Sequence, residues 1–230
     1  MKRNRFVRYA IFLSIMLLGF VLYLIGNGGH YDFLVPGPVI EGHADIDCAE
    51  CHILAPGSAR QQIQHNVKFL LGNKDMFVDY GYSKVTSFQC LSCHENINDR
   101  HPVYRFREPR FLEARSVINA TSCINCHVEH SGKRVSSELT FCRACHENLD
   151  LEEDPLDISH RILIERNDWE SCLRCHDFHG NHDYTVSNTV NKWLSIKQIQ
   201  SYFAQGKDPY SDTKLFTAPD STAEFAKEEL

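Results

Sequence analysis

The stretch CINCHVEHSGKRVSSELTFCRACH, from Cys123 to His146, contains the pattern Cys-x-x-Cys-His twice. Three further copies begin at Cys48, Cys90 and Cys172, and the five copies together use all 10 cysteines of the chain. The ten cysteines are Cys48, Cys51, Cys90, Cys93, Cys123, Cys126, Cys142, Cys145, Cys172 and Cys175, and the five motif histidines are His52, His94, His127, His146 and His176. Because no cysteine is left over, one kind of site, repeated five times, determines the fold.

The spacing within each motif fits covalently attached haem c. Two thiols separated by two residues can form thioethers with the two vinyl groups of one porphyrin, and the histidine that follows can bind the iron from one face. Zinc and iron–sulfur sites need four ligands, and five pairs of cysteines do not divide into sets of four. A redox disulfide needs no histidine directly after its second cysteine. The sequence therefore predicts five haem c groups, each with its motif histidine as the proximal iron ligand.

An uncharged apolar run of 17 residues, YAIFLSIMLLGFVLYLI, extends from Tyr9 to Ile25. It is at the short end of what crosses a hydrocarbon core as a helix, and it exceeds the usual apolar region of a signal peptide. Four basic residues precede it, which predicts a cytoplasmic N-terminus. We therefore expect a single-pass membrane anchor with the haem domain outside the cytoplasm, and a cleaved signal peptide is the alternative.

These features divide the chain into five parts. We assign residues 1–8 to a basic cytoplasmic tail, 9–26 to the transmembrane anchor, 27–41 to a spacer, 42–189 to the pentahaem domain and 190–230 to a C-terminal helix and flexible tail. The haem domain is short for five porphyrins. We therefore expect a mainly α fold with much irregular loop and a core formed largely by haem.

Two helices are predicted between or beyond the motifs. Ser58 follows Pro56-Gly57 as a capping residue, and the segment from Ser58 to Leu71 ends at Gly72, which predicts a helix. The segment from Val190 to Ala204 has apolar residues at helical spacing and predicts a second helix.

The residues after each motif alternate. The second and fourth motifs continue as Cys-His-Glu-Asn, whereas the third and fifth continue as His-x-x-His. This order predicts a duplicated two-haem module, residues 90–130 and 142–182, with one leading haem in front. The repeat places His101 and His130 in the first module and His160 and His179 in the second.

The occupant of the second axial position of each iron distinguishes an electron carrier from a catalyst, because a catalyst needs that position open for its substrate. Of the 13 histidines, eight lie outside the motifs, whereas Met76 is the only methionine beyond the apolar run. We therefore expect bis-histidine ligation throughout. The distal candidates are His101, His130, His160 and His179, with His182 in reserve for His179, and His43 and His65 compete for the remaining site. The two that follow a motif histidine by three residues are expected to reach a neighbouring haem.

On these motifs, the chain resembles the c3-like multihaem c-type cytochromes over roughly Gly42 to His182. The anchor and the haem motifs together are also similar to the quinol-oxidising NapC/NrfH-type cytochromes. The resemblance implies that His43, five residues before Cys48, is preferred as a distal ligand, with His65 in reserve. It also implies an anchor in the bacterial cytoplasmic membrane with the haem domain in the periplasm. The implied function is electron transfer from the quinol pool or a membrane oxidoreductase to a periplasmic or outer-membrane redox protein. The pentahaem nitrite reductases share the haem number, but their active haem uses Cys-x-x-Cys-Lys, which this sequence lacks.

Two other functions remain open from the sequence. One is a reductase of a small nitrogen or sulfur oxyanion at a five-coordinate haem, and the other is a haem-bearing anchor subunit of a larger redox complex. No residue is predicted to be catalytic. The formal net charge is −6, and no Asp or Glu occurs before Asp32, so the negative charge lies in the exported part. This charge argues against nucleic acid as a partner and favours a basic patch on a redox protein.

Overall fold

The chain divides into two units, residues 1–38 and residues 39–230. The structure is a computed structural model, and it describes residues 2–26 and 37–218. Most of the predicted spacer, 27–41, and the last residues of the predicted C-terminal tail lie outside the described residues.

The first unit contains helix α1, Lys2–Gly26, which includes the apolar run and the basic residues before it. Its large apolar side chains are exposed, including Phe12, Leu13 and Leu17 at 62%, 68% and 64%. Within the described part of the chain, no helix has the length and apolar character needed to cross a membrane. Helix α1 covers the predicted anchor, 9–26, and also residues 2–8 of the predicted basic tail. Its crossing of the membrane stays a prediction.

The second unit is built from short helices joined by long loops. Between residues 37 and 218 the α-helices are α2 (Cys48–Cys51), α3 (Ala59–Leu70), α4 (Ser87–His94), α5 (Leu112–Val117), α6 (Arg143–His146), α7 (His160–Glu165), α8 (Cys172–Cys175) and α9 (Ile196–Phe203). Single 3-10 turns cover Arg105–Arg107, Pro109–Phe111, Cys123–Asn125, Trp169–Ser171 and Val190–Lys192. In the same described range, β pairing is limited to two isolated bridges. The mainly α class with much irregular loop is therefore confirmed.

Each cysteine motif forms or adjoins one helical turn. The backbone N–H groups of His52, His127 and His176 donate to the carbonyl of the first cysteine of their motifs, at 2.8, 2.9 and 2.8 Å. Residues three apart lie on the same face of a helical turn. The turn therefore directs both thiols of a motif to one side, as attachment to a single porphyrin requires.

Helix α3 confirms the helix predicted from Ser58 to Leu71. The Ser58 side chain accepts a hydrogen bond from the backbone N–H of Gln61, and the Gln61 side chain accepts one from the backbone N–H of Ser58. This reciprocal pair satisfies two donors that a helix start otherwise leaves open. The residues that predict this helix lie in it or next to it, so its prediction depends on no distant contact.

The C-terminal helix is shorter than predicted. The segment 190–204 forms a 3-10 turn, Val190–Lys192, and then helix α9, Ile196–Phe203, instead of one continuous helix. Trp193 lies between them in an extended conformation, with φ −73° and ψ 163°. Ser195 caps α9 with a capping box, so the helix begins there. The prediction of a single helix was wrong because the cap defines a later start.

Two small clusters of buried apolar side chains lie in the C-terminal half of the chain. One contains Leu163, Cys175 and Trp193, and the other contains Leu173, Ile199 and Tyr210. Helices α8 and α9 are in contact, so the fifth motif is packed against the C-terminal helix. Cys175 and Leu173 of the fifth motif belong to these clusters, so the clusters help to position that motif.

Candidate haem centres

Each of the five motif histidines lies opposite a second histidine. The ring centroids are 6.3 Å apart for His52 and His130, 5.9 Å for His94 and His43, and 6.2 Å for His127 and His179, His146 and His101, and His176 and His160. The second member of every pair is one of the five distal candidates named from the sequence.

The spacing within the pairs fits one haem iron between two imidazoles. With a metal–imidazole bond of about 2 Å on each side of the iron, the ring centroids come to lie roughly 6 Å apart. Ordinary aromatic contacts span about 4.5 to 7 Å, so one pair alone would decide little. Every motif histidine has such a partner, however, and the five distances differ by less than half an ångström. The residues present therefore fit five haems with two histidines each.

Hydrogen bonds select which ring nitrogen is left for a metal. In four of the pairs at least one ring has its Nδ1 bonded to a protein oxygen, which leaves Nε2 as the candidate ligand atom. The partners are Glu129 Oε1 for His43 (2.6 Å), the Phe178 carbonyl for His101 (2.6 Å), the Arg134 carbonyl for His127 (2.7 Å), Asp154 Oδ2 for His160 (3.0 Å) and Asp99 Oδ2 for His179 (3.0 Å). Metal-binding histidines characteristically donate their other N–H in this way.

Burial keeps most of the motif histidines neutral. It lowers the pKa of His94, His127, His146 and His176 below the usual histidine value, and neighbouring histidines lower it further. A histidine must be unprotonated at the nitrogen that binds a metal. At neutral pH these four rings are therefore in the form that iron ligation requires.

The first cysteines of consecutive motifs meet in pairs. In the chain without thioethers, the neighbouring Cys90 thiol lowers the pKa of the Cys123 thiol. The neighbouring Cys142 thiol lowers the pKa of Cys172 in the same way. These pairs join the second motif to the third and the fourth to the fifth. The attachment points of two haems therefore meet inside each of the two sequence repeats.

The two repeats exchange histidines. His101, from the first repeat, lies opposite His146 of the second, and His179, from the second repeat, lies opposite His127 of the first. His160 stays within its own repeat, opposite the motif histidine of the fifth motif. Neither repeat therefore contains all the histidines that pair with its own motifs.

The exchange is held by contacts between the segments that carry His101 and His179. The His101 ring stacks on Phe178 with centroids 4.3 Å apart, and its Nδ1 bonds the Phe178 carbonyl. The Arg100 N–H donates to the His179 carbonyl at 3.2 Å, while the His179 ring bonds Asp99. Backbone and side chains of both segments are thus tied to each other next to both exchanged rings.

The segment with the first four motifs also matches a known family. Residues 40–147 match the cytochrome c3 model. This match supports a c3-like multihaem cytochrome with covalently bound haem c, and it suggests a multihaem electron-transfer protein. The c3-like segment ends directly after the fourth motif, and the fifth motif lies beyond it. No curated protein and no solved structure matches the chain significantly.

Of the two reserve histidines, His65 lies within the c3-like segment and His182 lies beyond it. His65 Nε2 bonds the Met76 carbonyl at 3.0 Å. The His182 side chain is 4% exposed and lies between Asp177, 2.7 Å from Nδ1, and Asp208, 2.6 Å from Nε2. The hydrogen bond with Asp177 raises the pKa of His182. Both nitrogens of His182 thus face carboxylates, and the geometry supports neither reserve residue as a haem ligand.

Proposed function

We propose that this chain is a membrane-anchored pentahaem c-type cytochrome that carries electrons from the quinol pool or a membrane oxidoreductase to a periplasmic or outer-membrane acceptor. The observation that carries the proposal is the set of five histidine pairs, one at every motif. Haem, when bound, supplies reversible one-electron redox chemistry. Two histidines at each iron leave no axial position for a substrate, which favours a carrier over a reductase.

The thiol pairs support transfer between neighbouring sites. Cys90 with Cys123, and Cys142 with Cys172, bring the attachment points of successive haems together. The exchanged histidines connect the two repeats to each other. One protein body thus holds all five candidate centres together, as a relay of electrons requires.

Spin state and haem count test the redox part of the proposal. The purified chain is expected to contain five haems by alkaline pyridine assay and intact mass. Its oxidised form is expected to show only low-spin ferric signals in electron paramagnetic resonance. A high-spin signal equivalent to one haem would refute complete bis-histidine ligation and would favour the reductase alternative.

Membrane attachment is proposed through α1. The helix carries basic residues at its start and exposed apolar side chains along its length, including Ile15 and Leu18 at 63% and 60%. We expect the full chain to stay with membranes after an alkaline wash, and a variant with residues 1–26 replaced by a cleavable signal peptide to be released as a soluble haem protein. Release of the full chain by the wash would contradict the anchor.

The donor can be tested separately. Adding a reduced quinol to the oxidised chain in detergent is expected to reduce haem, followed by the absorbance of the reduced α band. Haems that stay oxidised with quinol but are reduced by dithionite would contradict quinol as the direct donor and would favour a membrane oxidoreductase. The periplasmic acceptor is best sought among redox proteins with a basic patch, because the exported part of this chain is acidic.

A further inference from the structure

We infer that three carboxylates, Asp99, Glu129 and Asp154, are positioning residues that orient distal histidines and lower the reduction potentials of the haems that those histidines close. The inference rests on the proposed bis-histidine ligation and adds to it a difference between the five centres. Each carboxylate bonds the Nδ1 of one distal ring: His179, His43 and His160, respectively.

Asp154 shows how firmly such a carboxylate is placed. Its Oδ2 accepts the backbone N–H of His160 at 2.6 Å and lies 3.0 Å from the Nδ1 of the same residue. Its Oδ1 accepts the backbone N–H of Leu156 at 3.1 Å. The side chain is 15% exposed. Backbone N–H groups therefore hold the carboxylate in place, and the carboxylate orients the His160 ring.

Asp99 and Glu129 act over long separations in sequence. Asp99 accepts the backbone N–H of His101 at 2.8 Å with Oδ1, and its Oδ2 lies against His179. Glu129 Oε1 accepts the backbone N–H of Ile40 at 3.2 Å and lies 2.6 Å from the Nδ1 of His43. Each carboxylate thus lies close in sequence to the distal histidine of one site and bonds the distal histidine of another site. Asp99 does so across the two repeats.

Two further rings have neutral partners. His101 bonds the carbonyl of Phe178 and His127 bonds the carbonyl of Arg134. A hydrogen bond to a charged acceptor is roughly twice as strong as one to a neutral acceptor. A ring that donates Nδ1–H to a carboxylate gains imidazolate character and becomes a more basic ligand. A more basic ligand stabilises ferric over ferrous iron and so lowers the potential.

The second repeat provides the clearest contrast. The distal ring at its fifth motif, His160, bonds a carboxylate, whereas the distal ring at its fourth motif, His101, bonds a carbonyl. We therefore assign the lower potential to the haem at the fifth motif and the higher potential to its neighbour at the fourth.

The test is a redox titration of the full-length haem protein and of Asp154→Asn. Asparagine keeps an oxygen acceptor and removes the charge. Glu153→Gln is the matched control, because Glu153 is the adjacent exposed carboxylate and its substitution removes the same charge. One of the five midpoint potentials is expected to move upward in Asp154→Asn, beyond any shift in Glu153→Gln, with all haems still low-spin.

Equal shifts in Asp154→Asn and Glu153→Gln would overturn the inference, because long-range charge would then explain both. A high-spin haem in Asp154→Asn but not in Glu153→Gln would support the orienting role directly, since it means that His160 has left the iron. Should Asp154→Asn fail to assemble, Asp99→Asn and Glu129→Gln decide by the same measurement. A high-spin haem already in the unchanged protein would instead refute the proposed function, so the two failures are distinguishable.

Discussion

Replacing Gly180 by alanine is expected to destabilise the protein through the contact that joins the two repeats. Gly180 has φ +68°, a left-handed conformation that side chains disfavour. A Cβ built there would lie 2.6 Å from Cδ and Nε of Arg100 and 2.7 Å from its Cγ. The Arg100 side chain must therefore move, next to its backbone hydrogen bond with His179.

The magnitude follows from two contributions. The left-handed conformation costs roughly 1–2 kcal/mol for a residue with a Cβ. Displacing Arg100 from its rotamer costs about 0.5–1.5 kcal/mol more. We expect Gly180→Ala to lower the free energy of unfolding by roughly 1.5–3.5 kcal/mol. For a domain of this size that corresponds to a fall of about 3–14 °C in melting temperature.

A matched variant separates the two contributions. Gly72 has a similar φ, +74°, and a Cβ there would meet nothing within 4 Å. Gly72→Ala should therefore cost only the conformational part, roughly 1–2 kcal/mol. The assay is denaturant unfolding of the haem-loaded chains followed by circular dichroism. In an Arg100→Ala background, Gly180→Ala should cost no more than Gly72→Ala. The reasoning is refuted if Gly180→Ala and Gly72→Ala are equally destabilising in the original chain.

Three further results are expected. His101→Ala should convert one of the five low-spin haems to high-spin, because it removes the ring opposite His146, whereas His65→Ala should convert none; electron paramagnetic resonance distinguishes them. Because its carboxylate partners raise the pKa of His182, the stability it contributes is present below its unfolded pKa of about 6.5 and is lost as pH rises through the raised value; urea unfolding between about pH 6 and 9 should show this loss, and His182→Gln should not. Ile199→Ala should cost about 2–5 kcal/mol by the same unfolding assay, because Ile199 is 0% exposed, and a comparable loss in Leu215→Ala, at 65% exposed, would contradict the packing argument.

Local signals predicted local structure well. The cap at Ser58 and the stop at Gly72 predicted α3 to within one residue at each end, because both signals are local; the two members of the capping box lie within four residues of chain. The C-terminal segment was harder, because its apolar spacing suited a single helix. The structure divides these residues between two clusters: Trp193 packs in the one with Leu163, and Leu194 in the one with Ile199. Spacing alone cannot show that neighbouring residues face different clusters.

The sequence predicted which histidines form the candidate haem sites, but not which distal histidine lies opposite which motif histidine. The histidine count and the motif spacing named the same five distal residues that lie opposite the motif histidines. Which motif each one meets depends on contacts between distant segments, such as His43 with His94. The carboxylates Asp99 and Glu129 were missed for the same reason, because they reach rings 80 and 86 residues away. Asp154 lies six residues from its ring and was the one that a local search could have found.

For a chain exported as proposed, the pairing of histidines determines the order in which the haems gain their second ligands. On the proposed ligation, His43 is already outside when His94 follows, so the second haem can be closed first. The first haem, at His52, must wait for His130, which arrives after the third motif. The third haem must wait for His179, the last of all the ligands, although its own motif precedes two others. We therefore expect the order in which the haems gain their second ligand to differ from the order of their motifs, with the third site open to solvent and to foreign ligands until His179 has been exported.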